Sequence, residues 1–231
     1  MSFDINPPAK LITFDTYGTL IDWDSAIIAY IADVLKRKDE TIDPAVFYRV
    51  WYYGYAYPAV KGPFLPYRKL LQKTFKQALE AHRIPIAADD GATLGDAMAA
   101  AEPFADTVAA MKRLKTKYRL ATISNSEDDI ICHAVEKMEN PFDFVITAST
   151  THTYKPNPAL FELVMARAGV TPAETIHVAN SQYVDLPTSV PMGMRTIWIN
   201  RQGQKLLPET PAPHAELRTL AELAELLTPQ A

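Results

Sequence analysis

Five short stretches of this chain are almost continuously apolar, and their uneven spacing limits the folds open to it. They are "LITF" (11–14), "RLATIS" (119–124), "DFVITA" (143–148), "TIHVAN" (175–180) and "RTIWIN" (195–200). Runs rich in Val, Ile and Thr without polar alternation suit parallel strands covered on both faces. From residue 119 onward the runs recur roughly every 20 to 30 residues, with helical patterns between them. Between the first and second lie about 100 residues that read mostly as helix. Strand, helix, strand in repetition predicts an α/β sheet with right-handed crossovers. The long gap predicts a helical insert after the first strand, because a normal crossover has no room for it.

Helices are expected at 23–38, 43–57, 67–82 and 105–117, the last being the crossover into the second strand. Another is expected at 126–138, with Ser126 as its N-cap and acids in its first turn. One more spans 157–169, with Pro158 near its start and Gly169 at its end. Pro187 and Pro191 allow only a short or broken helix in "VDLPTSVPMG". The expected organisation is a core of 1–20 and 99–231, interrupted by a helical cap over 21–98. The Pro-rich "LPETPAPHAE" reads as irregular, before a last helix "LRTLAELAELL".

Composition removes several classes of function. A net charge of −4, with no basic cluster longer than "KRK" (36–38), argues against binding nucleic acid through its phosphates. No run of about 18 apolar residues exists to span a membrane. The early acid in "MSFDINPPAKLITF" does not suit a secretory leader. The single Cys132 excludes an internal disulfide and fits a reducing, cytoplasmic setting; its helix position reads as a buried small hydrophobe. His133, His152 and His177 lack ligand spacing and read as core or surface residues, so no metal site is expected from them.

Ligands of open α/β sheets bind beyond the carboxyl ends of the strands. The residues there are Asp15 with Thr16, Tyr17 and Thr19, then Ser124 and Asn125, then Lys155, and finally Asn180, Ser181 and Asp185. One carboxylate nucleophile, hydroxyl and amide donors, a lysine and a second carboxylate suit a small anionic substrate.

"FDTYGT", "ISNS", "YKPNPALF" and "HVANSQYVD" resemble, in order, the four motifs of the haloacid dehalogenase superfamily. The resemblance covers essentially the whole chain and implies a Rossmann-like parallel sheet core with a helical cap inserted after the first strand. Most superfamily members are Mg-dependent phosphatases with D-x-D as first motif. The D-x-Y-G-T form here, and the ending "TIWINRQG", resemble the L-2-haloacid dehalogenases. A halide is so weak a base that it leaves without the proton an alkoxide needs, so Tyr17 in place of an acid suits halide loss. Asn180 stands where the phosphatases carry a Mg-binding carboxylate, which would weaken a metal site. No cofactor is therefore expected.

That resemblance implies hydrolysis of a small halogenated carboxylic acid to a 2-hydroxy acid, with Asp15 as nucleophile, an aspartyl ester and inversion at C2. Asp185 would activate water. Lys155 would hold both carboxylates charged and assist with the substrate carboxylate. Tyr17, Thr19, Ser124, Asn125, Asn180 and Ser181 are the expected substrate contacts. Arg49 resembles the halide acceptor of those enzymes, with Asn125 sharing that role, and Trp51, Tyr53, Phe64 and Tyr67 are expected to wall the pocket. The chain departs from the common pattern at Phe161, Gln182 and Val184, where Tyr, Asn and Trp are frequent. Homodimerisation is implied by the family alone. Rival readings are a metal-free hydrolase acting on another small acid such as a strained ring amine, a catalytically idle binding module, and a Mg-dependent phosphatase.

Overall fold

A computed structural model describes residues 6–229. Residues 1–5, which carry the early acid weighed against a leader, lie outside the described residues, as do 230–231 at the far end of the expected core. Strand β1 (Leu11–Phe14) is followed by helix α1 (Trp23–Arg37), which the Asp22 side chain caps by accepting from the Ser25 N–H. Helix α2 (Pro44–Trp51) begins with Pro44 behind an Asp43 cap. It runs without a break into a π-helical segment, Tyr52–Ala56, and one further turn, Tyr57–Ala59. Helices α3 (Tyr67–Ala81) and α4 (Leu94–Ala100) complete the stretch before α5 (Thr107–Lys115). Helix α4 runs two residues past the boundary expected after residue 98.

The remainder is β2 (Arg119–Ser124), α6 (Asp128–Lys137), β3 (Phe144–Thr147), α7 (Ala159–Ala168), β4 (Thr175–Ala179), β5 (Arg195–Ile199), β6 (Ala215–Leu217) and α8 (Leu220–Leu227). The strands form one parallel sheet in the order β3-β2-β1-β4-β5-β6. Strands β2 and β3 extend the sheet to one side of β1, and β4 to β6 extend it to the other. The gap between β1 and β4 is therefore the topological switch point, where a crevice opens at the strand ends.

Alternate residues of the strands enter two apolar layers. Leu11, Ala121, Ile123 and Ile146 pack with Leu160, Phe161 and Val164 of α7. Ile12, Phe14, Leu120, Ile176 and Val178 join a larger core that continues into α1, α2 and α3. Helix α4 packs between α1 and α6, and Arg68 of α3 reaches Asp129 of α6 at 2.8 Å and Asp96 of α4 at 2.6 Å. The helical stretch is thus fastened to the core next to the switch point. Among the described residues no helix is long and apolar enough to cross a membrane.

Four expectations are corrected. Ala215–Leu217, read as irregular and then as helix, forms the sixth strand, and α8 starts only at Leu220 behind its Thr219 cap. The N-cap of α6 is Glu127, because the Ser126 hydroxyl turns inward to Ser124 at 2.9 Å. The helix expected over 43–57 changes to π geometry at Tyr52. Cys132 is exposed, on the outer face of α6 whose inner face is Ile130, Ile131 and Ala134.

Candidate active site

Asp15 is the first residue beyond β1, and its N–H still bonds the Val178 carbonyl of β4 at 3.0 Å. The chain then turns sharply at Gly18, whose φ of +89° favours glycine. A methyl group at Gly18 would lie 2.2 Å from Asn180 Nδ2, so the absence of a side chain lets the first and last motifs touch. The turn brings Thr19 back to donate to Asp15 Oδ2 at 2.8 Å, and the Asn180 N–H donates to the Thr19 hydroxyl at 2.9 Å.

Lys155 is 1% exposed and donates to Asp15 Oδ1, Asp185 Oδ1 and the Ile123 carbonyl at 2.8, 2.8 and 3.2 Å. An ammonium has three hydrogens, and all three are engaged. Lys155 therefore bridges the two carboxylates. It has no hydrogen left for a substrate carboxylate in this arrangement, which corrects that part of its expected role. Burial disfavours its charge, but the two carboxylates outweigh burial and hold its pKa above the ordinary lysine value.

The two carboxylates differ. Burial is the largest influence on Asp15, and with the neighbouring Asp185 charge it raises the pKa above the ordinary value of 3.8, against the pull of Lys155 and Thr19. Burial acts in the same sense on Asp185, but Lys155 and His177 overcome it, and its pKa is lowered. His177 Nε2 lies 3.0 Å from Asp185 Oδ1, while Asp185 Oδ2 is buried with no hydrogen-bond partner. The pair thus has one carboxyl, Asp185, that carries its charge easily and another, Asp15, that carries it at greater cost.

Several predicted contacts prove to be braces. Asn125 accepts from the Lys155 N–H at 2.7 Å and donates to the Lys155 carbonyl at 3.1 Å, so its amide clamps the lysine backbone. Ser124 bonds Ser126, and Ser181 accepts from the N–H groups of Tyr183 and Val184, each at 3.2 Å. Gln182 is buried and ties the motif loop to Gln204, Lys205 and Leu207.

The residues above the strand ends depart furthest from expectation. Arg49 is exposed, because α2 buries Phe47, Tyr48 and Trp51 and a turn of about 100° per residue carries position 49 to the opposite side. Trp51 is fully buried among the helices, where its ring N–H donates to Thr74 at 3.1 Å, so it packs the insert and does not line the site. Tyr53 is 39% exposed and lies against Tyr183, and Phe64 packs on His152 and Tyr154. Tyr67 is buried, and the charge of Asp15 acts on its hydroxyl. Tyr17 is buried with an unpartnered hydroxyl and shares that field, as does Tyr52, which the sequence reading did not single out. Burial, followed by these neighbours, holds all three phenols above their ordinary pKa, so they remain protonated donors.

His177 also went unrecognised. Its one signal was a titratable ring inside an otherwise apolar strand, eight residues before Asp185.

Comparison with known proteins places this geometry. The chain is 27% identical over 228 residues to an (S)-2-haloacid dehalogenase 4A of Burkholderia cepacia, covering 94% of each. It is 26% identical over 125 residues, 53% of the chain and 50% of the relative, to a human N-acylneuraminate-9-phosphatase. The solved structure of L-2-haloacid dehalogenase from Xanthobacter autotrophicus, with chloropropionic acid covalently bound, superposes with a TM-score of 0.82 at 20% identity. That superposition covers 96% of this chain and all (100%) of the other. The family model for haloacid dehalogenase-like hydrolases matches residues 9–189, a span holding Asp15, Lys155 and Asp185. The chain belongs to the haloacid dehalogenase-like hydrolase family.

Proposed function

We propose that this hydrolase cleaves the carbon–halogen bond of short 2-haloalkanoic acids, with Asp15 as nucleophile and no metal. The observation that carries the reading is the Asp15–Lys155–Asp185 cluster with Tyr17, not an acid, two residues beyond the nucleophile. Asp15 attacks C2 from the face opposite the halogen. The C–O bond forms as the C–halogen bond breaks, and the bonding pair leaves with the halide. Water then adds to the carbonyl carbon of the Asp15 ester and loses its proton to Asp185. The acyl C–O bond then breaks as Asp185 returns that proton to the departing alkoxide oxygen, releasing a 2-hydroxy acid inverted at C2, and Asp15 loses its acid proton to solvent to be restored as the carboxylate. The covalently bound chloropropionic acid of the Xanthobacter relative and the activity named for the Burkholderia relative support this chemistry.

With Arg49 facing away, the leaving halide is received by neutral donors: the hydroxyls of Tyr17, Tyr67 and Tyr52 around Asp15. The helical stretch 21–98 acts as the cap that brings Tyr52 and Tyr67 over the nucleophile and excludes water during the displacement. A magnesium ion suits this donor set poorly. Lys155 already neutralises both Asp15 and Asp185, and Asn180 offers an amide where a carboxylate would be wanted. Val46, Val50 and Tyr53 form an exposed apolar stripe on the outside of α2 and its continuation, which supports the homodimer the family implies.

The deciding experiment measures halide release from each enantiomer of 2-chloropropionate in excess EDTA, for wild type and Asp15→Asn. Release from one enantiomer, indifferent to EDTA and absent in the variant, is expected. Release restored only by added Mg²⁺, or turnover of a phosphomonoester instead, would replace this reading with the phosphatase.

A further inference from the structure

We infer that His177 is a positioning residue for the hydrolytic half of the reaction: it fixes Asp185 so that one bare carboxylate oxygen faces the ester. The inference rests on the aspartyl-ester reading above.

His177 sits in the middle of β4 with no exposed surface. Its Nε2 lies 3.0 Å from Asp185 Oδ1 and its Nδ1 lies 2.9 Å from the Thr13 hydroxyl of β1. A carboxylate only accepts, so Nε2 carries the hydrogen, and Nδ1 then accepts from Thr13. The ring is held edge-on against Phe161 of α7, with centroids 5.0 Å apart. Phe161 has no hydroxyl to compete for Asp185. On this face of the sheet, His177 is the polar group that reaches the second carboxylate.

The consequence lies in how Asp185 divides its two oxygens. Oδ1 receives both Lys155 and His177, whereas Oδ2 is buried and receives nothing. Rotation of an Asp carboxyl about its last torsion is soft. With Lys155 as sole partner the group could swing both oxygens toward the ammonium and present none. The second donor on Oδ1 comes from a different direction and removes that freedom. Leaving Oδ2 unpaired carries a desolvation cost, which the attacking water would relieve by donating a hydrogen bond there. That same hydrogen is the proton Asp185 must accept when water attacks the ester.

The displacement step makes no such demand. It needs Asp15 charged and aimed, and those tasks fall to Lys155 and Thr19. Loss of His177 should therefore separate the two half-reactions. In His177→Phe, the first turnover is expected to release one equivalent of halide at close to the wild-type rate. Steady turnover is expected to fall about 100-fold, the scale of a misplaced catalytic group. The ester on Asp15 should then accumulate and appear in the intact-protein mass as the chain plus substrate minus halide. His177→Gln places an amide donor near the Nε2 position and should recover about tenfold of the lost steady rate.

The experiment is rapid-quench halide release with intact-mass analysis of wild type, His177→Phe and His177→Gln, with thermal unfolding as the check on folding. A halide burst with accumulated ester in the Phe variant, relieved in the Gln variant, is the expected result. Burst and steady rates falling together, or a variant that turns over without accumulating ester, would overturn the inference while leaving the Asp15 chemistry in place. Should His177→Phe not fold, the Gln variant decides: a steady rate about tenfold below wild type with an ester burst supports the role, and wild-type turnover without ester, or an equal loss in both phases, refutes it. Wild type that forms no ester and releases no halide would overturn the parent reading, and this one with it.

Discussion

The floor and the roof of this site are built on opposite principles. The floor is charged and closed around Asp15: Lys155 has every hydrogen engaged, and each Asp15 oxygen has a donor. The roof, which descends from the helical stretch, is neutral and open-handed. Tyr17, from the turn after β1, adds a buried hydroxyl without a partner beside it, and the one arginine expected in the helical stretch faces outward. A nucleophile with both oxygens engaged is aimed and not adaptable, so on the proposed reading the floor prepares the attack and leaves the choice of leaving group to the roof. An unsaturated roof of phenols can accept an anion of varied size. On the proposed reading, selectivity resides above the sheet and reactivity within it.

The largest effect should come from breaking the floor. Lys155→Met keeps most of the volume but leaves two buried carboxylates without their cation. It should cost about 3–5 kcal/mol of stability in denaturant unfolding, along with activity. A loss within experimental error would mean that the floor is not held electrostatically. Gly18→Ala attacks the seam where floor meets turn. A positive φ and a 2.2 Å approach to Asn180 predict destabilisation of about 1–3 kcal/mol, with reduced turnover.

Changes in the roof should act on catalysis alone. Tyr67→Phe removes one donor and should lower kcat/KM about tenfold with little change in Tm, as expected for one hydrogen bond to a developing anion. An unchanged kcat/KM in both Tyr67→Phe and Tyr17→Phe would dismiss the phenols as halide acceptors. The pH profile tests the floor more gently. Asp15 must be ionised to attack, and its pKa is raised, so it stays protonated to higher pH than an ordinary aspartate. The acid limb of kcat/KM should therefore lie above 3.8 and not below it. The smallest effect is expected for Arg49→Ala, within about twofold in kcat/KM, as for other exposed positions. A collapse of activity there would show that α2 turns Arg49 inward when substrate binds, and the contrast between floor and roof would lose its sharpest edge.

The floor could be read in the sequence because strand ends are local facts. An apolar run that stops at Asp15 or at Ala179 delivers the next side chains to the sheet's carboxyl edge, whatever the rest of the chain does. The order of the four motifs added Lys155, whose long loop after β3 no periodicity would have placed. The roof resisted reading because helix phase decides which side chains descend, and phase depends on packing. "VFYRVWYY" offers six large side chains in eight positions, and only burial of Phe47, Tyr48 and Trp51 determines that Arg49 faces away. The π turn at Tyr52 then resets the phase again. The backbone clamp of Asn125 was not legible, since its amide meets a backbone that no linear pattern reveals. His177 was hidden by its strand: one polar residue among Ile and Val looks like ordinary core until β1 supplies Thr13 beside it. The three-residue β6 was too short and too close to prolines to leave a signal.

Gln182 gives the far end of the chain an unexpected importance. Its side chain joins the loop bearing Asp185 to Gln204, Lys205 and Leu207, and its carbonyl accepts from Thr210. Those tail residues touch nothing that reacts, yet they act as a guy-line on the loop that does. Trimming or fusing the chain upstream of Thr210 would slacken that line, and an enzyme cut there could keep every motif while losing the tension that holds its second carboxylate in place.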